Sequence, residues 1–173
     1  MSGEGSIFNR PGEHLPGVIA NFGVVSVEAD LEVVPTIIVE IKCKACGGAE
    51  LEIRELRLGE EDDDEDAATV GCAFVCRSCG HAATLFNAAT DGYDGAFGNN
   101  DHLKGPTVAA PIIEHGGAPV PPGRFAVNFT YNDEQLDDTA REAGRPPQDM
   151  FDWIEVYILE GEGWEQVWDF ECA

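Results

Sequence analysis

Apolar and polar residues alternate with a period of two in many short stretches, the pattern of strands that bury one face. The stretch from Thr36 to Lys42 places Ile37, Val39 and Ile41 on one side. Leu51 and Ile53 line one face of the next stretch, but Leu56 and Leu58 have the opposite parity, which predicts a bulge near Arg54 and Glu55. Val70, Cys72, Phe74 and Cys76 are expected to share a face of the following strand. Further on, Phe125, Val127, Phe129 and Tyr131 alternate, then Ile154, Val156 and Ile158, then Trp164, Trp168, Phe170 and Cys172 on the last strand. The expected fold is mainly β, an antiparallel sheet or sandwich.

Helical periodicity is scarce. One short helix is predicted after Asn132, which would cap it with Gln135 three places on, and before Gly144 and the Pro146-Pro147 pair that stop it. Leu136, Ala140 and Ala143 give this helix only a narrow apolar stripe, so it belongs on the periphery of the sheet. Gly161-Glu162-Gly163 lacks the third glycine of a dinucleotide fingerprint and reads as a hairpin turn. Residues 88–123 are rich in glycine and proline and are expected to form a long irregular loop able to present Tyr93, Phe97, His102, Lys104 and His115. With no clear internal boundary, residues 1–173 read as a single β-rich domain.

Composition narrows the partners. The chain has 173 residues, 43% of them apolar, enough for a buried core, and its formal charge is -23. A surface of that sign offers no footprint for nucleic-acid phosphates, so nucleic-acid binding is not expected. The run from Glu60 to Asp66 reads as a solvated, mobile loop. It fails as an EF-hand, because Ala67 stands where the turn glycine belongs and Ala73 where the closing glutamate belongs. Without this run acids still outnumber bases more than two to one, so the acidity is global. It fits either the capture of a basic protein or a surface adapted to high salt. No stretch approaches a membrane span and the start lacks the pattern of a secretory signal, so a cytoplasmic protein is expected.

The strongest chemical signal is a repeated motif. Cys43-Lys44-Ala45-Cys46-Gly47 and Cys76-Arg77-Ser78-Cys79-Gly80 each follow a predicted strand and each close with glycine. A Cys-x-x-Cys turn sets two thiolates at the edge length of a tetrahedral metal-sulfur site, and two such turns supply four ligands. This part of the sequence, residues 36–87, resembles a zinc ribbon, and the resemblance implies a structural Zn2+ held by Cys43, Cys46, Cys76 and Cys79. Four sulfurs could equally hold iron by spacing alone. A thioredoxin-like redox centre would open a helix with one such motif, which neither copy does, and a disulfide would require an oxidising compartment. Cys72 and Cys172 read as packed thiols, and His81 as a substitute ligand or an exposed side chain.

A catalytic zinc needs an open position, which four thiolates do not leave, so the chain is not expected to be an enzyme. The deaminase, metalloprotease, P-loop and nucleophile-elbow patterns are all missing from the sequence. Residues from Cys76 to Gly95 are similar to small bacterial zinc-ribbon proteins of toxin systems, which implies an immunity-like role. The expected function is thus a zinc-stabilised module that binds a basic protein through an acidic surface. The alternative is an enzyme or small-ligand binder with a cleft beside the 88–123 loop, using His102 or His115 with Asp94 or Asp101. The C-terminal aromatics Trp153, Tyr157, Trp164, Trp168 and Phe170 read as sheet packing, or as a partner site if one face is exposed.

Overall fold

The computed structural model describes residues 6–59, 68–132 and 134–173, so the acidic run from Glu60 to Asp66 lies outside the described residues. The strands in chain order are β1 (Phe22–Asp30), β2 (Thr36–Cys43), β3 (Leu51–Leu58), β4 (Thr69–Cys76), β5 (Ala82–Asn87), β6 (Thr107–Ile112), β7 (Glu114–His115), β8 (Ala118–Pro119), β9 (Phe125–Thr130), β10 (Trp153–Glu160) and β11 (Gly163–Glu171). Among the described residues two α-helices accompany them, α1 (Gly92–Ala96) and α2 (Leu136–Ala143). The strands form a five-stranded sheet in the order β1-β2-β9-β10-β11, a four-stranded sheet in the order β5-β4-β3-β6, and the small hairpin β7-β8. Every pairing is antiparallel.

The period-two pattern explains the layering. Alternate residues on β2, β9 and β10 point inward, and the registers align them into rows: Val39 faces Val127, which faces Val156, and Ile37 faces Phe129, which faces Ile154. All six are fully buried. Cross-strand rows of β-branched and aromatic residues favour this register over a slip of one residue, which would turn the whole set to solvent. The four-stranded sheet contributes Ile53, Phe74, Leu85 and Phe86 to the same buried cluster. Phe74 meets Phe22 at 5.8 Å and Phe125 at 5.0 Å between ring centres, both edge-on, and Phe86 meets Phe170 at 5.2 Å. The two sheets thus share one core.

Several expectations change. The predicted irregularity in β3 is present as a register shift against β6 between Arg54 and Leu56. A second shift, against β4, makes Val70 an extra residue, so Val70 leaves the face of Cys72 and packs with Leu56 and Ala73 in a separate cluster. A third, between Val156 and Tyr157, puts Trp164 opposite Leu159 on the outer face while Trp168 and Phe170 pack against the core. The helix α2 starts later than predicted. Its N-cap is Gln135 and not Asn132, without a side-chain cap, and Tyr131, next to the expected cap, donates its N–H to the Pro35 carbonyl. Its end is as expected, with Gly144 at φ 66° and the Arg145 N–H returning to the Ala140 carbonyl.

The segment 88–123 is not irregular throughout. It holds α1 and the edge strand β6, whose Thr107, Val108 and Ala109 pair with Leu58, Arg57 and Leu56. The strand contains Pro111, which an edge strand tolerates because one row of its amides is unpaired. Among the described residues, no helix is long and apolar enough to cross a membrane.

Candidate metal centre

Cys43 is the last residue of β2 and Cys76 the last of β4, so each pair begins where a strand of a different sheet ends. The two turns repeat one backbone design. The N–H of Cys43 donates to the Gly48 carbonyl and that of Cys76 to the His81 carbonyl, both at 2.9 Å. The N–H of Gly47 returns to Cys43, and that of Gly80 to Cys76, at 2.9 and 2.8 Å. Gly47 and Gly80 both sit at φ 75°, a left-handed position that costs any residue with a Cβ and explains the closing glycine of each motif.

The turns bring the four sulfurs together. Cys43 Sγ lies 3.7 Å from Cys79 Sγ, and Cys46 Sγ lies 3.6 Å from Cys76 Sγ. Each of the four lies within 4.8 Å of every other. A tetrahedron with metal-sulfur bonds of ~2.3 Å has edges of about 3.8 Å, so these separations suit one ion shared by all four. None of the six cysteines is in a disulfide. Cys43 and Cys76 are buried on the core side, whereas Cys46 and Cys79 are exposed on the rim. The Gly48 N–H donates to Cys46 Sγ at 3.3 Å, and a Cβ on Gly48 would stand 3.2 Å from both Cys46 Sγ and Cys76 Sγ. A Cβ on that side would thus press tightly on the cluster.

Electrostatics point the same way. The N–H groups of Cys79 and Ser78 pull the Cys76 thiol down to about 7 against the opposing effect of burial. At Cys46 the Gly48 N–H favours the thiolate, but the crowding sulfurs of Cys76, Cys79 and Cys43 outweigh it and push the thiol up to about 12. Four thiols this close cannot all ionise unless a cation stands among them, and a divalent metal is the natural one.

The other candidates do not join this group. His81 is exposed and contributes its backbone carbonyl alone. Cys72 is fully buried and its thiol is pushed well up by that burial. Cys172 is equally covered, and burial, with Asp94 and Asp152 nearby, pushes its thiol up as well. In the 88–123 segment, Tyr93 and Phe97 pack against the core with ring centres 4.9 Å apart. His115 pairs with Glu165 at 3.2 Å, and Lys104 with Asp101 at 2.7 Å. Asp94 accepts from the Asn99 amide at 2.9 Å. The hollow of about 190 Å³ beside this segment is lined by Asp91, Arg145 and Asp149 and not by His102 or His115.

Sequence reasoning missed a second feature, a trough on the outer face of the five-stranded sheet. Its wall carries Glu40, buried, holding Arg124 through Nε at 2.7 Å and through Nη2. Glu40 lies on the face of β2 opposite Ile37, Val39 and Ile41, for which the alternation alone gives no role.

Compared with known protein families, with curated proteins and with solved structures, the chain matches none.

Proposed function

We propose that the protein is a non-catalytic binding module, stapled by one structural Zn2+ on Cys43, Cys46, Cys76 and Cys79, that captures a basic protein. The observation that carries the first half is the convergence of four sulfurs from two pseudo-identical turns. When bound, a zinc ion supplies a fixed link between these turns, and four protein ligands occupy all the positions of its preferred geometry. The module is of the zinc-ribbon kind, with one turn leaving each sheet, and it belongs in a reducing, intracellular setting where thiolates persist.

The formal charge of -23 supports the second half, because such a surface accelerates encounter with a cationic partner and repels an acidic one. An immunity-like role in a bacterial toxin system is the form that the resemblance over Cys76 to Gly95 suggests. The test is isolation of the complex from the source cell followed by a salt titration. A basic partner, held less tightly as salt rises, is expected; a neutral or acidic partner, or affinity indifferent to salt, overturns the reading.

A further inference from the structure

Among the described residues, the outer face of the five-stranded sheet is open, and its chemistry is mixed. Two hollows of about 440 and 490 Å³ lie on it and share Ile38 and Asn128, so they run on into one another across β2 and β9. Ile38, Ala126 and Leu159 give this trough an apolar floor. Trp164, 43% exposed, stands at the β11 side, and Val33, 91% exposed, and Val34 stand at the turn between β1 and β2. Isolated exposed apolar side chains need no explanation, but three of this size around one open trough mark a contact surface.

The charge that lines the trough is mostly acidic. Glu28, Asp30 and Glu155 line the trough, and Asp169 stands opposite Glu155 on β11. The lining arginine, Arg124, is already held by Glu40. The Oδ1 of Asn128, where the hollows meet, and the Nε1 of Trp153, in the second hollow, are buried without a hydrogen-bond partner among the described residues. An unsatisfied acceptor and donor of this kind are unfavourable, and an extended chain carries both complementary groups on its backbone.

We infer that this trough is the docking surface for an extended, cationic and apolar segment of the partner, alternating arginine or lysine with aliphatic side chains. The inference rests on the reading of the protein as a module that captures a basic protein, and it names the face that does so. Aliphatic side chains would fill the floor beside Trp164. Cationic ones would reach Glu28, Asp30 and Glu155, with the indole of Trp164 and the ring of Tyr157 offering cation-π faces. A second copy of the chain is a poor occupant, because it would bring the same surplus of carboxylates to this face.

The test uses the full-length, metal-loaded protein and three short peptides of equal length. One alternates arginine with leucine, one arginine with glycine and serine, and one serine with leucine. Binding is followed by tryptophan fluorescence and calorimetry. The arginine-leucine peptide is expected to bind at least about tenfold more tightly than either of the others. Trp164→Ala is expected to remove that preference, and Glu28→Gln with Asp30→Asn to weaken the binding by about tenfold. The same loss of charge on α2, Asp137→Asn with Glu142→Gln, is expected to leave it unchanged. If both arginine peptides bind alike and Trp164→Ala has no effect, the trough is overturned while capture of a basic partner stands. If neither arginine peptide binds at low salt, both readings fall. Equal binding of the serine-leucine peptide, or a dimer that Trp164→Ala dissociates, overturns the cationic occupant.

Discussion

The sulfur of Cys43, at the end of a strand in the five-stranded sheet, lies 3.7 Å from the sulfur of Cys79, in a turn of the four-stranded sheet. A metal at this point therefore joins the two layers of the sandwich at the edge of their shared core, with Cys43 and Cys76 on its buried side. Purified protein is expected to carry about one zinc per chain, measured by elemental analysis. Four thiols are expected to react only after chelation, while Cys72 and Cys172 react only on unfolding. Cys79→Ser should lose the metal and several kcal/mol of stability, because binding to a site the unfolded chain lacks is folding free energy. Cys72→Ala should keep the metal.

Phe74 is the central ring of the contact between layers, edge-on to both Phe22 and Phe125. Phe74→Ala is expected to cost about 3–5 kcal/mol in urea unfolding, combining lost transfer energy with the cavity left behind. Phe74→Leu should cost clearly less with an unchanged slope. A cost near zero for the alanine variant would mean that the sheets do not depend on this contact.

Gly71 marks the tightest approach within the four-stranded sheet. A Cβ there would lie 1.8 Å from the Phe86 carbonyl oxygen and 2.8 Å from its carbon, both backbone atoms that cannot step aside. Gly71→Ala is therefore expected to destabilise by roughly 3 kcal/mol or more, or to prevent folding. At Gly161, with φ 60° and open space for a Cβ, alanine should cost only about 1 kcal/mol. Parallel thermal melts of the two variants separate backbone collision from backbone strain.

Asp91 supplies a pH dependence with a defined sign. Burial raises its carboxyl above the ordinary 3.8, although it accepts the Asn87 N–H at 2.8 Å. Between the unfolded and the raised folded value the native state holds more protons than the unfolded one. The contribution of this group is thus fully present below the unfolded value and lost as pH rises through the folded value. Asp91→Asn keeps an acceptor for Asn87 and removes the ionisation. Its melting temperature should exceed that of the parent at pH 7, and the gap should close as the pH falls below 3.8. A gap that widens on acidification would contradict this assignment.

The parts of the molecule that repeat a simple rule were readable in advance. Ile37, Val39 and Ile41, or Phe125, Val127 and Phe129, alternate because one face of each strand meets the core, and the fold follows that alternation. The cysteine pairs were readable because a turn that presents two sulfurs needs a fixed spacing and a glycine after it. What escaped depends on events between strands. One extra residue in β4 moved Val70 to the other face, and another in β11 did the same to Trp164. Neither residue's own neighbours in the chain signal the slip. The strand β6 escaped because its proline and alanines weaken the local pattern, while pairing with β3 supplies what propensity does not. The trough escaped for a related reason: only the register sets Ile38 beside Asn128 and Asn128 beside Glu155.

Strands β2 and β9 are immediate neighbours, yet everything from β3 to β8 comes between them in the chain. Their pairing closes a very long loop, and such closures are slow because the entropy is lost before the contacts form. The first cysteine turn sits at the outgoing end of that excursion, and Gly123 at its returning end is bonded to Leu51, just beyond the turn. An ion caught early would tie Cys79 back to Cys43, take the stretch between the two turns out of the loop, and so shorten the search for β9. Refolding with metal present should be faster than refolding followed by metal addition, which makes the order of events during synthesis, and not stability alone, a property under the control of four sulfurs.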